Sequence, residues 1–395
     1  MIEPQLKKIS CPYCGDASIN HTLSYWKGLV SIPLDNYTQR IIKHAPRFIE
    51  ELADFVPVFL FKILLFFGLA SLSGDVDKAN NFRSRIIWEE AKRRGIKMEQ
   101  LIFFGKPLDY YRALLNGRVV YFESIPIPSP FLGMKKNWDD KVALKQELRK
   151  KNIPVPFYLP LPFFHLPKVE NIFSKFTKPV IIKPRIGSRG RHTLTNICTL
   201  SHFITGINIA KQICPFLVVE EHLWGDVCRA TLVGGLLAGF QKASAPSVVG
   251  DGRKTIRQLI LEKDNQRPDR VGVVHTSEEL HNYLSRSGFS IEDVLPSGVF
   301  LPLSHRMGRL WGGKTKEMID DGLHPSFIPI LEKAAKITGL VVLGFDCIVP
   351  DPTKDANSQK WGIIECNTLP FIDLHYYTLE GKPRNIAGMI WDLWK

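Results

Sequence analysis

Two carboxylates and an amide near the carboxyl-terminal end of the chain have the types and spacing of a metal site. Asp346 lies inside an apolar, strand-like segment, and Glu365 and Asn367 lie in a second such segment further along. Because side chains alternate between the two faces of a strand, Glu365 and Asn367 should point the same way. Their oxygen atoms are hard ligands of the kind that Mg²⁺ takes beside nucleotide phosphates, and a bound cation would offset the cost of burying acids. The pattern indicates a magnesium site, with solvated carboxylates at the strand ends as the alternative.

A basic loop with two glycines follows an apolar strand in the middle of the chain. The strand 180–182 leads into Lys183, and the loop follows at residues 187–191 with the sequence GSRGR. Glycines let backbone N–H groups approach phosphate oxygens closely, and the flanking cations add positive charge. The loop lacks the Gly-Lys-Ser/Thr ending of a Walker A motif, and it is not a Rossmann fingerprint. By itself the loop is more typical of an ordinary hairpin turn. Together with the downstream acids Asp346 and Glu365, it favours a phosphate site.

Strands and helices of mixed order must position these groups. A charged helix is predicted over 139–151, and apolar segments typical of strands follow it at 179–183, 216–220, 230–240, 340–349 and 361–366. Helices are predicted between and after them near 255–263, 276–285, 325–338 and 383–394. Mixed strands and helices with long connections indicate an α+β body of the kind found in enzymes.

Composition limits the possible classes of protein. The chain has 395 residues, 45% of them apolar and 23% charged, which excludes disorder and predicts two or three globular domains. The net charge of +13 suits an anionic partner such as a nucleotide, a membrane surface or nucleic acid. The basic residues are spread along the chain without interleaved aromatic residues, so we expect no nucleic-acid partner.

The seven cysteines do not form a disulfide framework. They are scattered and odd in number, which favours a reducing, cytoplasmic compartment. Cys11 and Cys14 resemble one knuckle of a zinc ribbon, but a structural zinc needs four ligands and the chain has no second CxxC. His21 or His44 could complete a site, and an unmetallated knuckle is the favoured interpretation. The other five cysteines are predicted to be buried and chemically silent.

One apolar stretch, residues 55–72, needs an assignment. As a helix it would be about 27 Å long, slightly short of a bilayer core, and Lys62 lies near its middle. A buried or interface helix is the favoured interpretation, with membrane association as the alternative. The N-terminus lacks the continuous apolar core of a signal peptide, so export is not expected.

The chain from about residue 139 onwards resembles the ATP-grasp superfamily. The resemblance is greatest to the ATP-grasp region of cyanophycin synthetase, and D-alanine–D-alanine ligase is a more distant relative. It implies an ATP-grasp fold, in which two α+β lobes grip ATP, preceded by a pre-ATP-grasp-like α/β region and an apolar helical segment. The motifs that carry it, in the expected order, are DK at 140–141, IPVP at 153–156, KP at 183–184 with its loop, VVEEHL at 218–223, GDG at 250–252, LSRSGFSIEDVLPSG at 284–298, ECNTLP at 365–370 and EGKPRN at 380–385.

The resemblance also implies roles for single residues. The expected ATP-binding residues are two phosphate lysines, the phosphate lid and the adenine hinge, namely Lys141, Lys183, Gly187, Ser188, Gly190, Glu220, Glu221 and Leu223. Mg²⁺, with Mn²⁺ as an alternative, is expected on Asp346, Glu365 and Asn367. Arg306 or Arg309 would stabilise charge at the reacting groups. Arg229 and His375 would face the substrates.

The implied activity is ATP-dependent joining of a carboxylate to an amine through an acylphosphate, with amino acids or peptides as substrates. A small-molecule kinase and a non-catalytic nucleotide-binding or membrane-associated scaffold are the alternatives. The expected domains are 1–74, 75–136, 137–217 and 218–395, and a homo-oligomer is expected. The chain departs from the family pattern mainly where substrate would be recognised: Val227 replaces an acid, 309–313 is shortened, and Pro370 precedes Phe371 instead of glycine.

Overall fold

The computed structural model describes residues 11–14, 19–42, 58–128, 137–161, 169–268 and 271–395. The helices, in chain order, are α1 (His21–Ile42), α2 (58–66), α3 (Phe82–Arg93), α4 (Lys141–Lys150), α5 (Val169–Phe173), α6 (Leu200–Lys211), α7 (Ile256–Asn265), α8 (Glu278–Arg286), α9 (Phe327–Thr338), α10 (Asp373–Tyr376) and α11 (Ile386–Asp392). The strands are β1 (Ala70–Ser73), β2 (Lys97–Phe103), β3 (Lys106–Leu115), β4 (Arg118–Glu123), β5 (Tyr158–Leu161), β6 (Val180–Pro184), β7 (Leu194–Ile197), β8 (Leu217–Glu221), β9 (Asp226–Val233), β10 (Leu236–Ala243), β11 (Ser247–Val249), β12 (Phe300–Pro302), β13 (Thr315–Glu317), β14 (Val342–Val349) and β15 (Gly362–Asn367). This is the mixed α+β architecture that the sequence pattern predicts.

Two sheets flank the region of the predicted site. The smaller has the strand order β5-β8-β6-β7, and the larger has the order β13-β10-β9-β14-β15. In the smaller sheet, Ile182 and Val219 face a core that α6 covers with Phe203. Side chains alternate along the strands, so Lys183 and Glu220 lie on the opposite face. Since β8 ends at Glu221, this sheet continues beyond the boundary at 217 that the sequence suggested.

The larger sheet also has one apolar and one polar face. Its apolar face packs against α4 and α9, with Leu144 and Leu331 contributed by these two helices. A β-bulge in β15 decides which of its side chains lie on the polar face of the sheet. Asp346 pairs with Glu365, but the next residue, Cys347, pairs with Ile363. The extra residue, Ile364, lets Ile363 enter the apolar core while Glu365 shares the face of Asp346.

The region that precedes these sheets is an antiparallel sheet of order β1-β2-β3-β4 with α3 packed on it. The C-terminal helix α11 completes its core, where Trp391 contacts Phe122. The sheet begins at Ala70, so it includes residues that the sequence assigned to the N-terminal appendage.

The apolar stretch at 55–72 is not one continuous helix. Residues 55–57 lie outside the described part; α2 covers 58–66, and the chain then turns at Gly68 with φ +67° and enters β1. The residues from Ala70 onwards form backbone hydrogen bonds with β2, in place of the hydrogen bonds that a continuous helix would make. Phe66, the last residue of α2, is 85% exposed, so this end of α2 is not buried as the favoured interpretation expected. Among the described residues, no helix combines the length and apolarity needed to cross a bilayer.

Candidate functional site

The first turn of α4 positions two lysines. Asp140 caps the helix by accepting two backbone N–H bonds, and its carboxylate also pairs with Arg185 at the end of β6. The cap fixes Lys141 as the first helical residue, and Lys145 lies one turn later on the same face. Lys145 received no role in the sequence analysis. The four-residue spacing was the available signal.

Lys145 and Lys183 share one buried carboxylate. The Lys145 Nζ atom lies 2.8 Å from Glu220 Oε1, and the Lys183 Nζ atom lies 3.0 Å from Glu220 Oε2. Lys145 is fully buried and Glu220 is 1% exposed. Burial acts to raise the pKa of Glu220, but Lys145 and Lys183 outweigh it and hold that pKa below its usual value. The pair of lysines therefore faces an ionised carboxylate inside the protein.

Lys145 also supports the β-bulge that orients the predicted metal ligands. Its Nζ atom donates to the carbonyl oxygen of Ile364 over 2.7 Å. A bulged residue leaves the regular ladder, so its carbonyl needs another donor. Lys145 thus joins the buried ion pairs of the smaller sheet to the strand that carries Glu365.

The predicted metal ligands lie together on the polar face of the larger sheet. Asp346 and Glu365 are directly opposite each other on β14 and β15, and the Asn367 amide donates to Asp346 Oδ2 over 3.3 Å. Glu365 Oε1 lies 3.1 Å from Lys141 Nζ, and Asp346 Oδ2 accepts from Arg229 Nη2 over 3.0 Å. Burial acts to raise the pKa of Glu365, but Lys141 and Lys183 keep it below its usual value. The donor set is rich in hard oxygen atoms, and its Glu365 carboxylate is held in the ionised form, so the set fits Mg²⁺.

The basic loop bends back over Lys141. Gly187 has φ +131° and Gly190 has φ +62°, conformations that glycine adopts without the cost of a Cβ atom. The carbonyl of Gly187 accepts from Lys141 Nζ over 2.8 Å, while Gly187 and Ser188 are exposed. The loop and Lys141 are therefore neighbours, as the phosphate-site interpretation requires.

The three predicted hinge residues have different environments. Glu220 points inward to the lysines, as described above. Glu221 accepts from the Phe157 backbone N–H over 2.8 Å and pairs with Lys360 at the surface. Leu223 is buried. Glu220 thus has a side-chain role that the resemblance, which assigned the hinge to backbone contacts with adenine, did not imply.

The two candidate catalytic arginines have partners within the protein. The buried Arg306 donates to the carbonyl oxygens of Arg189, over 2.6 Å, and Tyr13, over 3.1 Å. It therefore holds the basic loop rather than the acids of the larger sheet. The Arg309 Nη2 atom lies 3.8 Å from Asp373 Oδ2.

The two candidate substrate residues also differ. Arg229 donates two hydrogen bonds to the Asp346 carboxylate and therefore lies beside the predicted metal ligands. His375 is fully buried, with Nδ1 2.6 Å from Glu317 Oε2 and Nε2 2.7 Å from Thr231 Oγ1. Both ring nitrogens of His375 are occupied by the protein itself, so its ring does not lie on an open substrate surface.

Lys145 should make stability depend on alkaline pH. Burial lowers the pKa of Lys145 to about 8, against the ordinary 10.5. Between these values the unfolded chain binds a proton that the folded chain does not, so the free energy of unfolding should rise with pH, by up to about 3 kcal/mol. Below pH 8 both states are protonated and this contribution is constant. Urea unfolding of the wild type and of Lys145→Met between pH 7.5 and 10.5 measures it.

The control for this experiment is Lys150→Met. Lys150 lies on the same helix but is exposed and pairs only with Glu147 among the described residues. Its variant should keep the alkaline rise, and Lys145→Met should lack it. Equal pH dependence in the wild type and Lys145→Met would contradict the assignment.

Known proteins are similar to this chain over more than half of its length. No family model matches the chain. Cyanophycin synthetase of Trichormus variabilis is 29% identical over 261 residues, which cover 64% of this chain and 29% of that protein. The glutathione biosynthesis bifunctional protein GshAB of Mannheimia succiniciproducens is 25% identical over 76% of this chain and 41% of its own length. The predicted resemblance to cyanophycin synthetase is confirmed by these relatives, of which the chain spans less than half the length.

Solved structures are also similar over much of the chain. Among them, a bifunctional glutathione synthetase from Pasteurella multocida aligns with 79% of this chain and 44% of its own, at 19% sequence identity and a TM-score of 0.49.

Proposed function

We propose that this protein is an ATP-dependent carboxylate–amine ligase that forms an amide bond through an acylphosphate. Its relatives include proteins named for cyanophycin synthesis and glutathione biosynthesis. The proposal includes an ATP-grasp fold over residues 137–395, with the preceding sheet as its pre-ATP-grasp-like region. Amino acids or peptides are the proposed substrates.

The observation that carries the proposal is the meeting of opposite charges between the two sheets. Lys141 lies 3.1 Å from Glu365, and Lys183 shares Glu220 with Lys145. Lys141 on α4 therefore faces a carboxylate of the larger sheet directly. Lys183 pairs with Glu220 on its own sheet and is also near enough to lower the pKa of Glu365 on the larger one. A triphosphate needs ammonium groups on one side and a metal held by carboxylates on the other, so this arrangement suits a nucleotide.

The residues of the chain would bind and shield the reacting groups. Lys141 and Lys183 would neutralise phosphate charge, and the loop at 187–191 would exclude water from the labile acylphosphate. Mg²⁺ bound by Asp346, Glu365 and Asn367 would supply the charge that neutralises the phosphate oxygens during transfer. Arg229 would then lie beside the reaction centre, where its guanidinium can orient a carboxylate substrate.

Substrate recognition differs from the family pattern at Val227. The nearest acid, Asp226, pairs with Lys242 over 2.9 Å and is therefore engaged elsewhere. We therefore propose a chemical class of substrates and no particular pair of carboxylate and amine. Mn²⁺ as a substitute metal, a homo-oligomer and the cytoplasm as location remain predictions, and membrane association remains only the alternative interpretation of residues 55–72.

The proposal is tested by screening pairs of amino acids and short peptides for ADP formation. The correct pair should raise ADP release at least about tenfold above either partner alone, and mass spectrometry should find a product lighter than the sum of the partners by one water. With the carboxylate alone, added hydroxylamine should capture the acylphosphate as a hydroxamate. A stable phosphorylated product from a single substrate would instead indicate a kinase, and no ADP above background with any pair would reject the ligase.

A further inference from the structure

A second cluster of ligand-type side chains lies outside the proposed ATP site. The cluster comprises one ligand atom each from Cys11, Cys14, His21 and His192, and these four atoms all lie within 4.8 Å of one another. Cys14 Sγ is 3.1 Å from His21 Nε2 and 3.5 Å from His192 Nε2, and Cys11 Sγ is also 3.5 Å from His192 Nε2. Sequence reasoning considered only the first three and favoured an unmetallated knuckle.

These distances suit a tetrahedral ion. Zinc bonds of about 2.3 Å to sulfur and about 2.0–2.1 Å to nitrogen place neighbouring ligand atoms about 3.3–3.8 Å apart in a tetrahedron. The separations between the four ligand atoms need only small movements to reach that geometry. Two thiolates with two imidazoles favour Zn²⁺ over the hard cations that suit the carboxylate site.

The surrounding backbone already orients the ligands. His192 is fully buried, and its Nδ1 atom lies 2.8 Å from the carbonyl oxygen of Ile209, which fixes the tautomer and leaves Nε2 to bind a metal. Cys14 N–H donates to the Cys11 carbonyl in a tight turn. Asn20 accepts the backbone N–H of Leu23, which starts α1 at His21.

We propose that Cys11, Cys14, His21 and His192 bind one structural Zn²⁺ ion. All four positions come from the protein, as in closed structural sites, so this ion would have no catalytic role. It would join the N-terminal knuckle to a histidine 178 residues from Cys14.

The zinc ion would also brace the basic loop, a consequence that rests on the proposed function. His192 directly follows residues 187–191, and its backbone N–H donates to the Tyr13 carbonyl over 3.1 Å. Arg306 binds that same carbonyl and the carbonyl of Arg189, and Arg191 donates to the Cys14 carbonyl over 3.3 Å. The knuckle therefore holds one end of the loop that would close over the phosphates.

Metal content tests the site without any reference to activity. The full-length protein, purified without chelators, should contain about one zinc per chain, and Cys14→Ser should lose at least about nine-tenths of it. Cys198→Ser is the matched control, because Cys198 is exposed and outside the cluster. Equal zinc content in Cys14→Ser and Cys198→Ser would overturn the proposal.

Two further measurements separate loss of a ligand from loss of the fold. Co²⁺ exchanged into the wild-type protein should show the intense visible absorption of a tetrahedral site and a thiolate charge-transfer band, and a weak octahedral spectrum would overturn the proposal. His192→Cys offers another soft ligand, so it should retain zinc while His192→Ala loses it. If His192→Ala retained zinc, His192 would not be a ligand and the four-residue site would be wrong.

Proteolysis tests the bracing of the loop. Removing zinc with a chelator should raise the rate of tryptic cleavage after Arg189 and Arg191 by at least about tenfold, because the loop loses its anchor. Cleavage after Arg253, in an exposed turn remote in sequence from the cluster, should not change. An unchanged rate at the loop would reject the bracing role, and neither result depends on whether the protein is a ligase.

Discussion

Replacing Glu365 with glutamine should abolish Mg-ATP turnover, lowering the rate by at least about 10²–10³-fold. The substitution keeps the shape of the side chain but removes a hard anionic ligand opposite Asp346 on the neighbouring strand. It also leaves Lys141 without the carboxylate that lies 3.1 Å from it. ADP release with the correct substrate pair, measured at saturating Mg²⁺, gives the change in rate.

The matched control is Glu262→Gln. Glu262 is an exposed carboxylate on α7 that pairs with Lys254, so its variant should keep wild-type turnover. Circular dichroism and urea unfolding of both variants establish that the folded fraction is the same under assay conditions. A folded Glu365→Gln protein with turnover close to that of Glu262→Gln would contradict the metal assignment.

Replacing Glu220 with glutamine should have the largest effect on stability, about 3–5 kcal/mol. The neutral amide leaves Lys145 and Lys183, both buried, facing each other without a counter-charge. Water cannot solvate them there, so the cost is the free energy of an uncompensated buried charge. The midpoint and slope of urea unfolding at pH 7 measure the loss.

The adjacent residue provides the control for this substitution. Glu221 pairs with Lys360 at the surface, so Glu221→Gln should cost less than about 1 kcal/mol. Adding Lys145→Met to Glu220→Gln removes one of the two unpaired ammonium groups and should recover part of the lost stability. If Glu220→Gln were as stable as Glu221→Gln, the buried ion pairs would not support the fold.

Much of the candidate site could be predicted because its signals are local. Alternation along a strand predicts that Glu365 and Asn367 share a face, and both lie on the face of Asp346. The same rule alone would have placed Ile363 on that face. The bulge at Ile364 changes this, and the Lys145 ammonium donates a hydrogen bond to the carbonyl of Ile364. Local periodicity cannot reveal a bulge whose support comes from another helix.

The amino-acid sequence by itself determined the α+β class, the order of the phosphate and carboxylate motifs, and the similarity to cyanophycin synthetase, because these depend on neighbouring residues. Only the tertiary structure decided that Glu220 joins two lysines and that Arg306 holds the basic loop. It also decided that the described part of the apolar stretch, residues 58–72, is divided between α2, a turn and β1. It also brought His192 to the cysteine knuckle. Contacts between residues far apart in the chain form when apolar faces pack, and the periodicity of one segment carries no information about its partner.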